Sequence, residues 1–248
     1  MQELPTRRAR TSATEIAMER IKQYILTNQL KPGDPIPTEL ELCNTLGVSR
    51  SSVREAVRTL SALDIIDVRH GIGTFVGQFS LKSLVDGMVF RGVLSPGSEF
   101  EALREVVEVR TALDLSMAEV IVARIGGKDV SDLAALVDEM EALAAVSESF
   151  AEPDRAFHTL LANKLDNSLM EQLVAAFWDI HASVIPHLGV PTPTDISDTV
   201  HAHRAMLNAV TAGDPAAFRL AVIDHYRPLR NVLQQTVSRL KEPEPLAV

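Results

Sequence analysis

The sequence predicts a mainly α protein: an N-terminal winged helix-turn-helix of three helices plus a β ribbon, then an all-α bundle of about seven helices. Three observations carry that expectation. Two short helical patterns between Pro35 and Leu63 flank Gly47-Val48-Ser49. The stretch HGIGTFV at 70–76 reads as the turn and second strand of a ribbon, and beyond about Phe79 strand signals stop while helical periodicities follow one another.

Residues 1–13, with Arg7, Arg8 and Arg10, are expected as a polar tail, flexible unless its arginines touch phosphates. From Thr14, Ala17, Ile21 and Ile25 recur at helical spacing, and Lys31-Pro32-Gly33-Asp34-Pro35 stops that helix. Thr38 can cap a second helix whose Leu42 and Leu46 face a core, and Gly47 suits the left-handed residue that ends it. Ser49 or Ser52 can cap the third, Ser52 and Glu55 being spaced as a capping box. There Val53, Ala56, Val57, Leu60 and Leu63 form the buried stripe, leaving Arg50, Ser51, Arg54 and Arg58 outward. Ile65–Arg69 and Gly73–Gly77 are the expected strands. The DNA-binding module is thus placed at 14–78. Helices follow at roughly 81–92, 99–124, 129–147, 152–165, 168–186, 195–212 and 214–239, inside a bundle at 79–241 that precedes a tail at 242–248. The clearest interruption is His187–Thr194, with two prolines.

A net charge of −9 over 248 residues argues against a nucleic-acid partner until its distribution is read. Residues 1–80 hold ten Lys/Arg against nine Asp/Glu, and the remaining 168 hold 14 against 24, so the acidity belongs to the C-terminal part. A near-neutral module with arginines focused on one helix can bind phosphates while the acidic part faces away. One cysteine, Cys43, excludes an internal disulfide. No apolar run spans a bilayer and the N-terminus lacks a secretory signal, so a cytoplasmic protein without a membrane partner is expected.

Arg50 and Arg54 stand one turn apart on the third helix and His70-Gly71 at the ribbon turn, so base-reading and phosphate-positioning groups come from two elements. With GVSRSSVREAVRTL, the short turn before it and HGIGTFV after it, residues 14–77 resemble the DNA-binding domain of the GntR family of bacterial transcription regulators. The resemblance implies that Ser49, Arg50, Ser51, Arg54, His70 and Gly71 contact operator DNA. One position departs: many members have arginine where this chain has Leu40, so one polar DNA contact is absent and the operator sequence can differ.

In the helical part Asp154 and His158, spaced i, i+4, share a face. His203 shares a stripe with Met206, Leu207 and Val210, and His225 with Phe218, Ala221, Val222, Leu229 and Val232. Any one of these imidazoles can be a hydrogen-bonded core residue. Together they are costly to bury unless paired or bound to an ion, and a carboxylate with three imidazoles suits Zn²⁺ first, with Ni²⁺ or Mn²⁺ also compatible. DRAFH, HRAMLNAVTAGD and the later His225 are similar to the metal-binding pattern of the FCD effector domain, which marks the fatty-acid-regulator-like branch of the GntR family. By that resemblance Asp154, His158, His203 and His225 are the metal ligands; His201 lies on another face, and His181 and His187 have no assigned role.

Arg110 interrupts the apolar stripe Leu103, Val106, Leu113, Met117. It is either ion-paired with Asp114 at i+4 or a pocket arginine that clamps a carboxylate beside the metal, and the resemblance favours the pocket, since such regulators sense organic acids. Trp178 either lines that cavity or packs the core. A homodimer on a pseudo-palindromic operator is expected, released by a small carboxylate effector: a sugar acid, hydroxy acid, dicarboxylate or amino acid. The other readings are a metal-dependent hydrolase and a metal-binding bundle that does not bind DNA. The chain shows neither a nucleophile motif nor a phosphate loop, Gly71-Ile72-Gly73 lacking the lysine that must follow, so no catalytic residue is assigned.

Overall fold

The computed structural model describes residues 12–93, 98–188 and 196–241. The tails at 1–11 and 242–248 and the prolines of the 189–195 segment lie outside the described residues. The chain divides after Ser83 into two compact units.

The first unit runs α1 (Ala13–Thr27), β1 (Pro35–Ile36), α2 (Glu39–Leu46), α3 (Arg50–Ala62), β2 (Ile66–Arg69) and β3 (Gly73–Val76). Ser12 caps α1 and Thr38 caps α2, each in a reciprocal capping box with the glutamate three residues on, Glu15 and Glu41. Gly47 closes α2 at φ 64°, a left-handed value, and α3 starts two residues later. Ser49, not Ser52, caps α3: its hydroxyl accepts the Ser52 amide at 3.2 Å, and the Ser52 hydroxyl, 2.8 Å away, is buried against it rather than boxed with Glu55. Leu63 also departs from expectation. It lies at the C-cap, where the helical stripe no longer continues, and is 48% exposed, while Val53, Ala56, Val57 and Leu60 are buried with Ala17, Ile21 and Leu42.

The sheet has three strands, not two, in the order β1-β3-β2, all antiparallel. β2 pairs Ile66 with Val76 through Arg69 with Gly73, and β1 adds Pro35 opposite Phe75 and Ile36 opposite Thr74. Two residues beside three loop-forming neighbours carry no alternation, so β1 had no readable pattern. Pro35 costs nothing there, since a first strand residue on a sheet edge can dispense with its N–H.

The second unit holds α4 (Lys82–Val93), α5 (Ser98–Ile125), α6 (Ser131–Ala145), α7 (Ala151–Asn163), α8 (Ser168–Leu188), α9 (Ile196–Ala212) and α10 (Pro215–Lys241). α10 packs along α9 and α5, α6 against α7 and α9, and α8 against α7 and α5. The four helices α5, α7, α9 and α10 therefore send side chains into one interior. Among the described residues no helix is long and apolar enough to cross a membrane.

Candidate functional site

Three helices bring four ligating side chains into that interior. Asp154 and His158 come from α7, one turn apart; His203 comes from α9 and His225 from α10. One ligand atom from each lies within 4.8 Å of all the others, and the four residues are 7%, 4%, 0% and 6% exposed. The apolar stripes read from the sequence aim these groups inward, because His203 sits with Met206, Leu207 and Val210, and His225 with Phe218, Ala221 and Val222, all buried.

The hydrogen bonds show what the cluster lacks. His203 Nδ1 is 2.8 Å from the Thr199 carbonyl, an oxygen that can only accept, so Nδ1 carries the proton and donates it. Its Nε2 then faces Asp154 Oδ1 at 2.9 Å, lone pair to lone pair, unless a second proton or a cation lies between them. His158 Nε2, 3.4 Å from the same Oδ1, and His225 Nδ1 are buried without a hydrogen-bond partner. A buried nitrogen left unpaired costs about 1–3 kcal/mol, and two of them within a cluster that holds one carboxylate fit a shared cation.

Electrostatics keep Asp154, His158 and His225 in their ligating forms. Burial pushes His158 down to about 3 against the pull of Asp154, and drives His225 well below its ordinary value, with the other imidazoles adding to the effect. Burial would raise Asp154, yet the three imidazoles, His203 first, hold its carboxyl far below the usual carboxylate range. An anionic carboxylate and neutral imidazoles are the protonation states a divalent ion requires.

Around the cluster lies a second set. Arg110 on α5 is 4% exposed, its guanidinium carbon 4.5 Å from the Trp178 ring centroid and 5.4 Å from that of Tyr226. No contact between its guanidinium and Asp114 falls within 4.0 Å, yet its charge acts on the Asp114 carboxyl, so the two remain electrostatic neighbours one turn apart. Asp114 instead accepts the Tyr226 hydroxyl at 2.7 Å and lies 3.6 Å from His158 Nδ1. Burial raises Asp114 to about 6, opposed by that hydroxyl and by Arg110, and burial also raises Tyr226 well above its ordinary value. Trp178, 5% exposed, is buried with the Arg110 guanidinium over its ring. Next to His203, Arg204 points the other way and is held by Asp138 and Glu141 of α6. His201 is exposed; the side chains of His181 and His187 lie outside the described residues.

In the first unit Ser49, Arg50, Ser51, Arg54, His70 and Gly71 are all exposed. Arg54 Nε lies 3.6 Å from Glu39 of α2, which ties the start of that helix to α3, and Leu40 beside it is 52% exposed. The ribbon tip is set by Gly71, at φ +75°, a left-handed value open to glycine at little cost. Arg69, over the Phe75 ring at 4.3 Å and bonded to Asp67, was not singled out in the sequence; an aromatic two residues past the turn was the available signal.

Residues 13–76 match the bacterial regulatory proteins of the gntR family, and residues 105–228, half of the chain, match the FCD domain. The chain belongs to the GntR family and carries an FCD domain. This GntR regulator is 25% identical over 220 residues to the galactonate operon transcriptional repressor of Escherichia coli (strain K12), covering 89% of this chain and 93% of that one. It is 25% identical over 213 residues to the HTH-type transcriptional regulator LutR of Bacillus subtilis (strain 168), covering 84% and 95%. Among solved structures, Streptococcus agalactiae GntR superposes with a TM-score of 0.63 at 28% identity, over 88% of this chain and 99% of that one. These relatives and both domains are those of transcription regulators and not of enzymes, so the hydrolase reading is withdrawn and the GntR regulator is a DNA-binding protein.

Proposed function

We propose that this GntR regulator is a repressor of a catabolic operon that leaves its operator when a small carboxylate binds beside a metal ion in the helical unit. The observation that carries the reading is the buried set Asp154, His158, His203 and His225, two of its nitrogens unpaired, with a buried Arg110 whose charge reaches the set. The donor set, three nitrogens and one oxygen, suits Zn²⁺, with Ni²⁺ or Mn²⁺ as alternatives. Asp154, His158, His203 and His225 would hold the ion, which would supply positive charge to attract the effector's carboxylate. Arg110 clamps the same carboxylate through a bidentate pair, and Trp178 packs on the arginine's other face and keeps water away. The galactonate operon repressor among the relatives supports a sugar-acid or hydroxy-acid effector.

On DNA, Ser49, Arg50, Ser51 and Arg54 read the major groove from the start of α3, while His70 and Gly71 at the ribbon tip contact the backbone. A good bidentate arginine contact discriminates by roughly 1–3 kcal/mol, so one module reads too little and a homodimer on a pseudo-palindrome follows. A gel shift on the chain's own promoter tests the reading. The retarded complex should hold two chains, and Arg54→Ala should abolish it; an unchanged shift would refute the recognition-helix assignment. Elemental analysis should find about one ion per chain, and His203→Ala, which removes a fully buried ligand, should lose it; retention of the ion would sink the ligand set.

A further inference from the structure

Asp67 and Arg69 of β2 share one face of the ribbon, where the register sets Phe75 opposite Asp67 and Gly73 opposite Arg69. Ile66 and Val76 carry the other face into the core, so Asp67, Arg69 and Phe75 lie on the outer side. Arg69 Nε donates to Asp67 Oδ2 at 2.8 Å, and its guanidinium carbon stands 4.3 Å from the ring centroid of Phe75, its diagonal neighbour. One edge and one face of the guanidinium are thereby taken. Its two Nη groups make no hydrogen bond among the described residues, and Gly73 has no side chain to cover them. The outcome is a fork held in one plane, a single residue before the exposed tip His70-Gly71.

An arginine already fixed in this way loses little freedom when it closes on two oxygens. What it can close on is limited by thickness. Guanidinium and ring, 4.3 Å apart with half a contact distance outside each, form a slab about 8 Å thick. The minor groove is only about 6 Å wide. A phosphate at the groove's rim is free of that limit, and two of its oxygens match the Nη fork. We propose that Arg69 is a phosphate clamp of the DNA-binding unit, aimed by Asp67 and Phe75, which fixes the ribbon tip on the duplex whatever the sequence. This deepens the reading of the ribbon given above and rests on the tip reaching the DNA backbone.

The test measures, by fluorescence anisotropy at about 100 mM salt, the affinity of the full-length protein for two duplexes of equal length, one from the chain's own promoter and one unrelated. Arg69→Ala should weaken both by about tenfold, since a phosphate contact carries no sequence. Arg69→Lys keeps the charge without the fork and should leave most of that loss in place. Asp67→Asn removes a negative charge beside DNA, which tightens binding if charge alone counts; loss of the aim should instead weaken it by about threefold or more. Both side chains are more than 40% exposed, so melting temperatures should stay within about 2 °C of the parent. A loss confined to the promoter would make Arg69 a base reader, full rescue by lysine would reduce it to a charge, tighter binding by Asp67→Asn would deny the aiming, and a matching drop in melting temperature would assign Arg69 to folding; each overturns the proposal. His70→Ala separates the underlying reading: if it and Arg69→Ala are both without effect the ribbon does not reach the backbone, whereas an effect of His70→Ala alone sinks only the clamp.

Discussion

The two nitrogens of His203 divide the labour at the centre of the cluster: Nδ1 is fixed by the Thr199 carbonyl, and that bond aims Nε2 at Asp154. His158 and His225 have no such anchor and depend on burial to stay neutral. A pH dependence follows from their direction of shift. His158, lowered from 6.5 to about 3, contributes stability that is complete above pH 6.5 and is lost as pH falls through about 3, and His225 acts in the same sense. Asp114, raised from 3.8 to about 6, opposes them: its contribution is complete below 3.8 and lost as pH rises through 6. Two imidazoles outweigh one carboxyl, so the metal-free protein should melt at progressively lower temperature from pH 6.5 toward 4. Thermal melts across that range check it, and His158→Gln should flatten the slope. A slope unchanged in that variant would show that the neutral ring is not what acid attacks. At this scale the four clustered side chains were legible, His203 and His225 from their apolar stripes and Asp154 with His158 from their i, i+4 spacing. Asp114 was visible only as a partner for Arg110, and Tyr226, adjacent to His225, belonged to no stripe; both are buried because α10 is covered by α9 on one side and α5 on the other.

Among the elements, the ribbon depends on a close approach that neither charge nor periodicity announces. Gly77, just past β3, crosses the turn that follows α3 so tightly that a Cβ there would lie 2.1 Å from the Asp64 carbonyl oxygen. Its own amide donates to Ile65, and Phe79 donates to that same Asp64 oxygen at 3.0 Å, so backbone meets backbone and no rotamer can relieve the contact. Gly77→Ala should therefore destabilise the protein by about 2–4 kcal/mol in denaturant melts, with operator binding falling as the ribbon shifts. A loss under about 0.5 kcal/mol would mean that the turn yields easily. Helices proved easier to read than strands. Each of the seven expected beyond Phe79 has its counterpart, with ends displaced by no more than two residues, since periodic stripes and turn glycines punctuate them. β1 and the Ser49 cap were decided by tertiary pairing and by a choice between two nearby hydroxyls, which local pattern does not contain.

At the scale of the whole molecule, a regulator of this kind must couple two units through a difference in affinity. Moving from mostly DNA-competent to mostly released takes about 5 kcal/mol of differential binding, more than one exposed ion pair can supply. The proposed carboxylate clamp beside a metal would be of that size, since hydrogen bonds to charged groups give about 1.5–3 kcal/mol each. The acidic excess of the second unit, 24 Asp/Glu against 14 Lys/Arg beyond residue 80, keeps that unit from competing for phosphates. The near-complete burial of Asp154, His158, His203 and His225 has a further consequence, for time rather than energy. An ion enclosed by side chains less than a tenth exposed can leave only when the helices part, so its residence is set by the opening rate of the bundle and hardly by the concentration outside. Such an ion would be a slow fixture, and in the proposed switch the speed of the response would be left to the small molecule that comes and goes beside it.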